Sequence, residues 1–389
     1  MKLIIQPDDG VAPLLAAIKS AKTRVDIAIF RADRKDIENA LKAAAARGVK
    51  VTALIAHVNR GGAANLRKLE IRFLEEGVIV ARTADDLIRY HDKFLIVDRR
   101  VLYVLSFNFT HLDIDHSRGF GLVTTNSAWV REGIKLFRAD CTRSTYKAGM
   151  DTMVVSPANS RKVFGEFLRR AKKQLLIYDP KISDKEMLRI LQDRAKAGVE
   201  IRIIGKIGGN FKFDSQRLAH HRLHTRTIIR DGRQAFVGSQ SLRPAELDSR
   251  RELGLIIKDA KAVKRLIETF ESDWVREESK EQKSAPKEKK SSQEAVEIAE
   301  EKAEMAEQKE EAETEKQAEV AVEALKSELN PLAVSVKKAV RKAVAKAGED
   351  VLHDKNVKDT MKKVVKKAVK DAVKEAVQES NDAESDRKS

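Results

Sequence analysis

Two short segments of the sequence each place an imidazole and a cation two residues apart. The first, HDKFLIVD, holds His91 and Lys93, and the second, HTRTIIRD, holds His224 and Arg226. Residues i and i+2 of an extended strand point to the same side, so each pair should share one face. An imidazole can attack or transfer a proton near neutral pH, and Lys or Arg supplies positive charge for phosphoryl oxygens. The segments predict a two-step exchange at a phosphodiester, in which one imidazole attacks phosphorus and the other protonates the leaving oxygen.

Further polar residues follow each segment. Those that could donate hydrogen bonds to a substrate are Ser106 and Asn108 in the first half, and Ser239 and Gln240 in the second. Asp98 lies seven residues after His91, an odd number, so a straight strand puts it on the opposite face. We interpret Asp98 and Asp231 as turn or supporting residues, and Asp231-Gly232 is a good turn dipeptide. No Asp, Glu or His cluster has metal-ligand spacing, so no metal and no other cofactor is predicted.

The two segments belong to an internal repeat. Residues 91–137 align with the second half at an offset of 133 without a gap, and residues 21–55 align at an offset of 150. The first half therefore carries 17 extra residues between Gly48 and His91. Each unit alternates apolar strands with amphipathic helices, and the first helix should end in a left-handed cap at Gly48 or Gly198. This predicts an α/β fold of two tandem repeats, with mixed sheets covered by helices and related by a pseudo-two-fold axis.

Composition divides the chain into four parts. We predict repeats at 1–146 and 147–275, a charged linker that is helical or disordered at 276–330, and a Lys/Val/Ala-rich tail at 331–389. Val365, Val369, Val373 and Val377 form a narrow apolar stripe flanked by lysines, which is typical of an amphipathic helix. Such a helix could lie on an anionic membrane or nucleic acid, pair with another helix, or fray in solution.

Positive charge is concentrated in the repeats. Residues 1–275 hold 51 Lys and Arg against 33 Asp and Glu, although the whole chain has a net charge of only +16. This excess favours an anionic partner: a phospholipid or other phosphodiester, or nucleic acid. The single cysteine, Cys141, excludes an internal disulfide and favours a reducing compartment. With no apolar run of membrane-spanning length, we expect a cytoplasmic protein whose tail could hold it at a membrane surface. The sequence gives no oligomeric state.

A family resemblance rests on these same residues. HDKFLIVD fits the His-x-Lys-x4-Asp signature of the phospholipase D superfamily. SFNF at 106–109 and GSQS at 238–241 resemble its Gly-Ser-x-Asn segment, and SRRELGLII resembles its Asn-x-Glu-x-Gly segment, with Glu252 in the acidic place. The likeness spans about residues 10–275.

The resemblance implies two phospholipase D-like repeats joined across one active site, and a covalent phosphohistidine intermediate. By position His91 would be the nucleophile and His224 the general acid, although the reverse assignment stays open. Lys93 and Arg226 would bind the phosphoryl group.

The sequence departs from the family pattern at several positions. Arg226 replaces a Lys, Leu105 a Gly and Ser241 an Asn, while Gly119 stands where the first-half Glu would be. The leading hypothesis is a phospholipase D-type phosphodiesterase or phosphatidyl transferase acting on a phospholipid. The alternatives are a metal-independent nuclease of the same superfamily and a non-catalytic scaffold that binds an anionic ligand.

Overall fold

The computed structural model describes residues 1–57 and 63–274, all within one compact unit, Met1–Ala285. The predicted linker and tail lie outside the described residues. The strands are β1 (Lys2–Gln6), β2 (Arg24–Ile29), β3 (Lys50–Ile55), β4 (Ile79–Arg82), β5 (Arg89–Tyr90), β6 (Phe94–Val97), β7 (Val101–Leu105), β8 (Ser117–Thr124), β9 (Met153–Ser156), β10 (Gln174–Ile182), β11 (Glu200–Ile207), β12 (Asp214–Gln216), β13 (Arg222–Leu223), β14 (Arg226–Arg230), β15 (Gln234–Gly238) and β16 (Arg250–Ile257). The helices are α1 (Ala12–Ser20), α2 (Lys35–Ala46), α3 (Ala63–Leu74), α4 (His111–Asp115), α5 (Ser127–Cys141), α6 (Ser160–Arg169), α7 (Lys185–Lys196), α8 (Pro244–Asp248) and α9 (Ala260–Asp273).

The strands form two mixed sheets of the same design. The first has the order β1-β8-β7-β6-β2-β3-β4, and the second runs β12-β11-β10-β14-β15-β16, with β9 also paired to β16. In each sheet three strands run parallel (β2, β3, β4 and β10, β11, β12), and the motif strands pair antiparallel to their neighbours. The predicted α/β fold with two mixed, helix-covered sheets is confirmed.

Local sequence explains the strands that carry the two motifs. All four residues of β6, Phe-Leu-Ile-Val, are buried, as expected for a strand covered by helices on both faces. The helix after the first long strand of each repeat ends where predicted, because Gly48 (φ 83°) and Gly198 (φ 84°) both adopt the left-handed conformation that glycine tolerates best. The extra residues of the first half contain α3. No helix in the described part of the chain is long and apolar enough to cross a membrane.

The two repeats exchange short strands immediately before their histidines. Strand β5 leaves the first repeat and pairs in parallel with β16, and β13 leaves the second repeat and pairs in parallel with β8. The backbone N–H of His91 then donates to the carbonyl of Arg251 (2.8 Å), and that of His224 donates to the carbonyl of Arg118 (3.2 Å). The backbone of each histidine is therefore fixed by the opposite repeat.

Buried ion pairs join the repeats at the same places. Arg118 of the first repeat donates to both carboxylate oxygens of Asp273 in the second, at 2.8 and 3.0 Å. Arg251 of the second repeat donates from Nε to Asp140 of the first, at 3.2 Å. The offset of 133 maps one pair onto the other, and all four side chains are at least nine-tenths buried. Phe120 and Tyr178 pack edge to face across the same interface, with centroids 5.5 Å apart.

Candidate active site

His91 is held between residues of both repeats. It follows β5, is 8% exposed, and packs edge-on against Phe30 with ring centroids 4.6 Å apart. Its Nδ1 lies 3.0 Å from both carboxylate oxygens of Glu252, a residue of β16 in the second repeat. Because Glu252 engages Nδ1, the imidazole is fixed in orientation and Nε2 is left as its other reactive nitrogen.

Burial disfavours charge on both members of this pair. It lowers the pKa of His91 well below its usual value, and the charges of Lys93 and Arg226 lower it further. Burial likewise raises the pKa of Glu252 to about 7, with Glu246 adding to the effect. The imidazole is therefore neutral near pH 7, which is the form that can donate Nδ1–H to Glu252 and attack through Nε2.

Lys93 places a buried amino group two residues after His91. Its side chain is fully buried, and Nζ has no hydrogen-bond partner within residues 1–57 and 63–274. The group lies 5.4 Å from the centroid of the Phe30 ring. Burial lowers the pKa of Lys93 to about 7, with Glu252 opposing the shift and Arg226 adding to it. A buried cation with open donors is costly unless an anion binds to it, so the position of Lys93 is suited to binding an anion.

The second motif has a different set of contacts. His224 is 4% exposed; its Nε2 lies 3.5 Å from Oδ2 of Asp113, and its Nδ1 has no hydrogen-bond partner in the described ranges. Arg226 folds back on its own strand end: Nη1 donates to the carbonyl of His224 (2.6 Å), and Nε donates to Oγ of Ser241 (3.3 Å). The substituted Arg is thus tied to the loop that follows β15.

The two motifs share one electrostatic neighbourhood. The charges of Lys93 and Arg226 lower the pKa of both His91 and His224, in each case after the larger effect of burial. Each cation therefore acts on the imidazole of the other repeat as well as on its own. Together with the contact between His91 and Glu252, this places all four side chains predicted to be catalytic within electrostatic range of the buried histidines.

The polar residues that follow each motif have two kinds of surroundings. Some bond the backbone of neighbouring strands, and others keep a buried polar atom without a partner among the described residues. Oγ of Ser106 accepts the N–H of Phe120 (2.9 Å), and Oγ of Ser239 accepts that of Leu253 (3.2 Å), so both hydroxyls join strands. The amide of Gln240 donates to the carbonyl of Val154 (2.8 Å). Oδ1 of Asn108 and Oε1 of Gln240 are buried without a partner in the part of the chain that the structure describes.

Asp98 and Asp231 lie in turns at the far ends of the motif strands. Both adopt positive φ, 50° and 53°. Asp98 accepts backbone N–H groups from the first residue of β2 and the two residues before it, and Asp231 does the same for β10. Their carboxylates are thereby committed to holding the start of a neighbouring strand.

Two buried acids near the motifs were not singled out from the sequence. Asp113 in α4 contacts His224, and Glu246 in α8 lies near Arg226. The charges of Arg226 and Arg250 hold the pKa of Glu246 at about 2, although burial opposes them. The offset of 133 maps Asp113 onto Glu246, so an acid at this place in both repeats was the available signal. No group of three or more His, Cys, Asp or Glu suited to a metal ion occurs among the described residues.

With sulfate as a probe anion for Lys93, the affinity of the protein for sulfate should fall as the pH rises through about 7. Below this pH, Lys93 carries a proton and attracts the anion; above it, the ammonium is lost, while sulfate keeps its charge. Loss of one charge-assisted contact should weaken binding by roughly tenfold or more, measured by isothermal titration calorimetry between pH 6 and 9. Lys93→Met should bind weakly and with a smaller pH dependence, which is the part that remains from ionisation of Glu252 near pH 7. A wild-type affinity that stays constant to pH 9 would show that Lys93 is not the anion ligand.

A family model and several solved structures resemble the chain. The family model described as "Cardiolipin synthase, PLD-like domain" matches residues 14–141 and 206–274, about half of the chain. These two segments contain the two motifs. No curated protein shows significant sequence similarity to it.

Three solved structures illustrate the range of relatives. Polyphosphate kinase from Porphyromonas gingivalis is 21% identical with a TM-score of 0.59, over 78% of this chain and 55% of that protein. The chain thus spans little more than half the length of that relative. Phosphatidylserine synthase from Haemophilus influenzae Rd KW20 is 12% identical with a TM-score of 0.52, over 70% and 85% of the two chains. Nuc from Salmonella typhimurium, at 25% identity and a TM-score of 0.34, covers 38% of this chain and 97% of its own.

Proposed function

The chain belongs to the phospholipase D superfamily, and from that premise we propose that it is a phosphodiesterase or phosphatidyl transferase working through a phosphohistidine. The observation that carries the proposal is the cross-repeat arrangement of His91. A carboxylate of the second repeat holds Nδ1, and the buried amine of Lys93, two residues away, has no hydrogen-bond acceptor among the residues that the structure describes. A held, neutral imidazole beside an anion site is what attack on phosphorus requires.

In the first half-reaction, Nε2 of His91 attacks phosphorus. A P–N bond forms, the P–O bond to the leaving group breaks, and His224 gives its proton to the departing oxygen. Lys93 and Arg226 stabilise the charge that builds on the non-bridging oxygens.

In the second half-reaction, His224 takes a proton from water or an alcohol. The oxygen of that acceptor forms a bond to phosphorus as the P–N bond breaks, which restores His91 and releases the product. Water gives hydrolysis, and an alcohol gives transfer.

The substrate we favour is a phospholipid. The matching family model is described by the name of cardiolipin synthase, and this supports a lipid diester. The positive excess of residues 1–275 suits an anionic lipid surface.

A nuclease is the second candidate, and one segment favours it. Residues 206–223 run from the edge of the second sheet at β12 across to β8 of the first sheet, directly before His224. The exposed side chains there include Lys206, Lys212 and Arg217, and Asp214 is the only acid among them. Such a basic approach to the site would bind phosphates on either side of the one being cleaved.

One assay separates these functions from each other and from a scaffold. The purified full-length protein is incubated in EDTA with phosphatidylcholine, phosphatidylglycerol or single-stranded DNA. Release of choline or glycerol would support the lipid enzyme, and DNA fragments would support the nuclease. Binding without any turnover would instead support a non-catalytic scaffold and contradict the proposed reaction.

A further inference from the structure

The two imidazoles of the site are supported unequally. His91 has Glu252, but the residue that the offset places opposite His224 is Gly119. A Cβ built at Gly119 would lie 2.9 Å from Cδ1 of Phe107, so the Phe107 ring occupies the room that a longer side chain there would need. His224 must therefore obtain its carboxylate from another element, or have none.

Asp113 is the carboxylate that reaches His224. It is 2% exposed and belongs to α4, which follows the first-half motif. Oδ1 accepts from Nη2 of Arg222 (2.6 Å), and Oδ2 accepts the backbone N–H of Asn108 (2.7 Å). Oδ2 also lies 3.5 Å from Nε2 of His224. Two donors thus fix the carboxylate on either side of its approach to the ring.

The charge of Asp113 persists at all working pH values. Burial alone would raise its pKa, but the charges of His224 and Arg222 and the N–H of Asn108 hold it well below the usual value. Around His224, burial together with Arg222, Arg226 and Lys93 lowers the imidazole pKa, and Asp113 opposes them. Asp113 is thus the neighbouring charge that favours the protonated form, against the three cations.

The equivalent acid of the second repeat shows which contacts of Asp113 serve only to hold the backbone. Glu246, the counterpart of Asp113, also accepts a backbone N–H from the loop after the motif, that of Ser241 (2.6 Å). It also contacts the guanidinium groups of Arg243 and Arg250, at 3.5 and 3.4 Å. Closing the loop is thus common to both repeats, whereas contact with an imidazole is specific to Asp113.

We infer that Asp113 is the positioning residue of His224, taking the place of the carboxylate that position 119 lacks. This rests on the proposed function. Asp113 orients the ring and stabilises the imidazolium that must exist before the leaving group is protonated and after the acceptor is deprotonated. The assignment also distinguishes the two histidines: His224, with a permanently charged partner, is the acid and base, and His91 is the nucleophile.

The first test measures His224 directly and needs no turnover. In protein labelled with ¹⁵N-histidine, the ring of His224, identified by its loss in His224→Ala, is titrated in wild type and Asp113→Asn. Removing the negative charge should lower the pKa of His224 by about one unit or more. Asp115→Asn, on the same helix but with a partly exposed carboxylate that bonds Arg34 and His111, should leave it unchanged. An unchanged His224 titration in Asp113→Asn would overturn the inference.

The second test separates protonation of the leaving group from attack. Bis(p-nitrophenyl) phosphate releases p-nitrophenolate, which needs no proton, so Asp113→Asn should keep a burst of about one p-nitrophenolate per protein. Turnover of whichever of phosphatidylglycerol or single-stranded DNA the wild type cleaves should fall about 10²- to 10⁴-fold. Equal losses on both substrates would indicate a structural role only. If the wild-type protein cleaves none of bis(p-nitrophenyl) phosphate, phosphatidylglycerol and single-stranded DNA, the proposed function is contradicted. The role of Asp113 is then tested by the His224 titration alone.

Discussion

His91→Ala should abolish turnover of every phosphodiester that the wild-type protein cleaves. The loss should be on the order of 10⁴-fold or more, because the variant lacks the atom that forms the covalent bond to phosphorus. Folding should survive, since the ring borders the site and the strand pairing at β5 uses only the backbone N–H of residue 91. The measurement is kcat/KM in EDTA, with far-UV circular dichroism and thermal unfolding recorded on the same samples.

A matched histidine variant makes the result specific. His116 is an exposed histidine after α4, and His116→Ala should keep near wild-type kcat/KM. A fully active His91→Ala protein would show that another group attacks phosphorus.

Arg118→Met should cost the protein about 3–5 kcal/mol of unfolding free energy. The substitution leaves Asp273 buried without its bidentate partner, and also removes the bond from Arg118 to the carbonyl of Gln6 (3.0 Å). Because the pair joins the repeats, the loss should appear in the main cooperative transition. Urea denaturation followed by intrinsic fluorescence gives the free energy.

Two further variants help to explain the loss of unfolding free energy in Arg118→Met. Arg202→Met breaks an ion pair with Glu271, also on α9 but 45% exposed, and should cost about 1 kcal/mol or less. Adding Asp273→Leu to Arg118→Met removes the stranded charge and should recover part of the stability. A loss of under 1 kcal/mol in Arg118→Met would mean that the buried pair does not hold the repeats together.

Much of the fold could be predicted from the sequence, because an element predicted in one repeat could be checked against the equivalent residues of the other. The apolar run after His91 and the helix ending at Gly48 each have a counterpart in the second half, so strand and helix assignments supported one another. Strands β5 and β13 did not follow, since two residues are too few to show a periodicity. Their pairing depends on how the repeats pack, which no local pattern encodes.

Some residues of the candidate site could likewise be predicted from the sequence, and others could not. His91, Lys93, His224 and Arg226 could be named because spacing within one strand determines which side chains share a face. Asp113 could not, because it lies 111 residues before His224 and reaches the ring only through the packing of one repeat against the other. The offset relates Arg118 to Arg251 and Asp140 to Asp273, but equivalence between repeats does not show that the partners lie across the interface.

Trapping the covalent intermediate tests the central claim most directly. Wild-type protein is mixed with bis(p-nitrophenyl) phosphate, quenched in alkali to preserve phosphohistidine, digested with trypsin and examined by mass spectrometry. Cleavage after Arg89 and Lys93 releases the peptide YHDK, which contains His91. Cleavage after Arg222 and Arg226 releases LHTR, which contains His224. The account predicts a p-nitrophenyl phosphoryl adduct on YHDK, at His91, because only one of the two p-nitrophenolates leaves in this half-reaction. An adduct on LHTR, or none on either peptide while product accumulates, would contradict it.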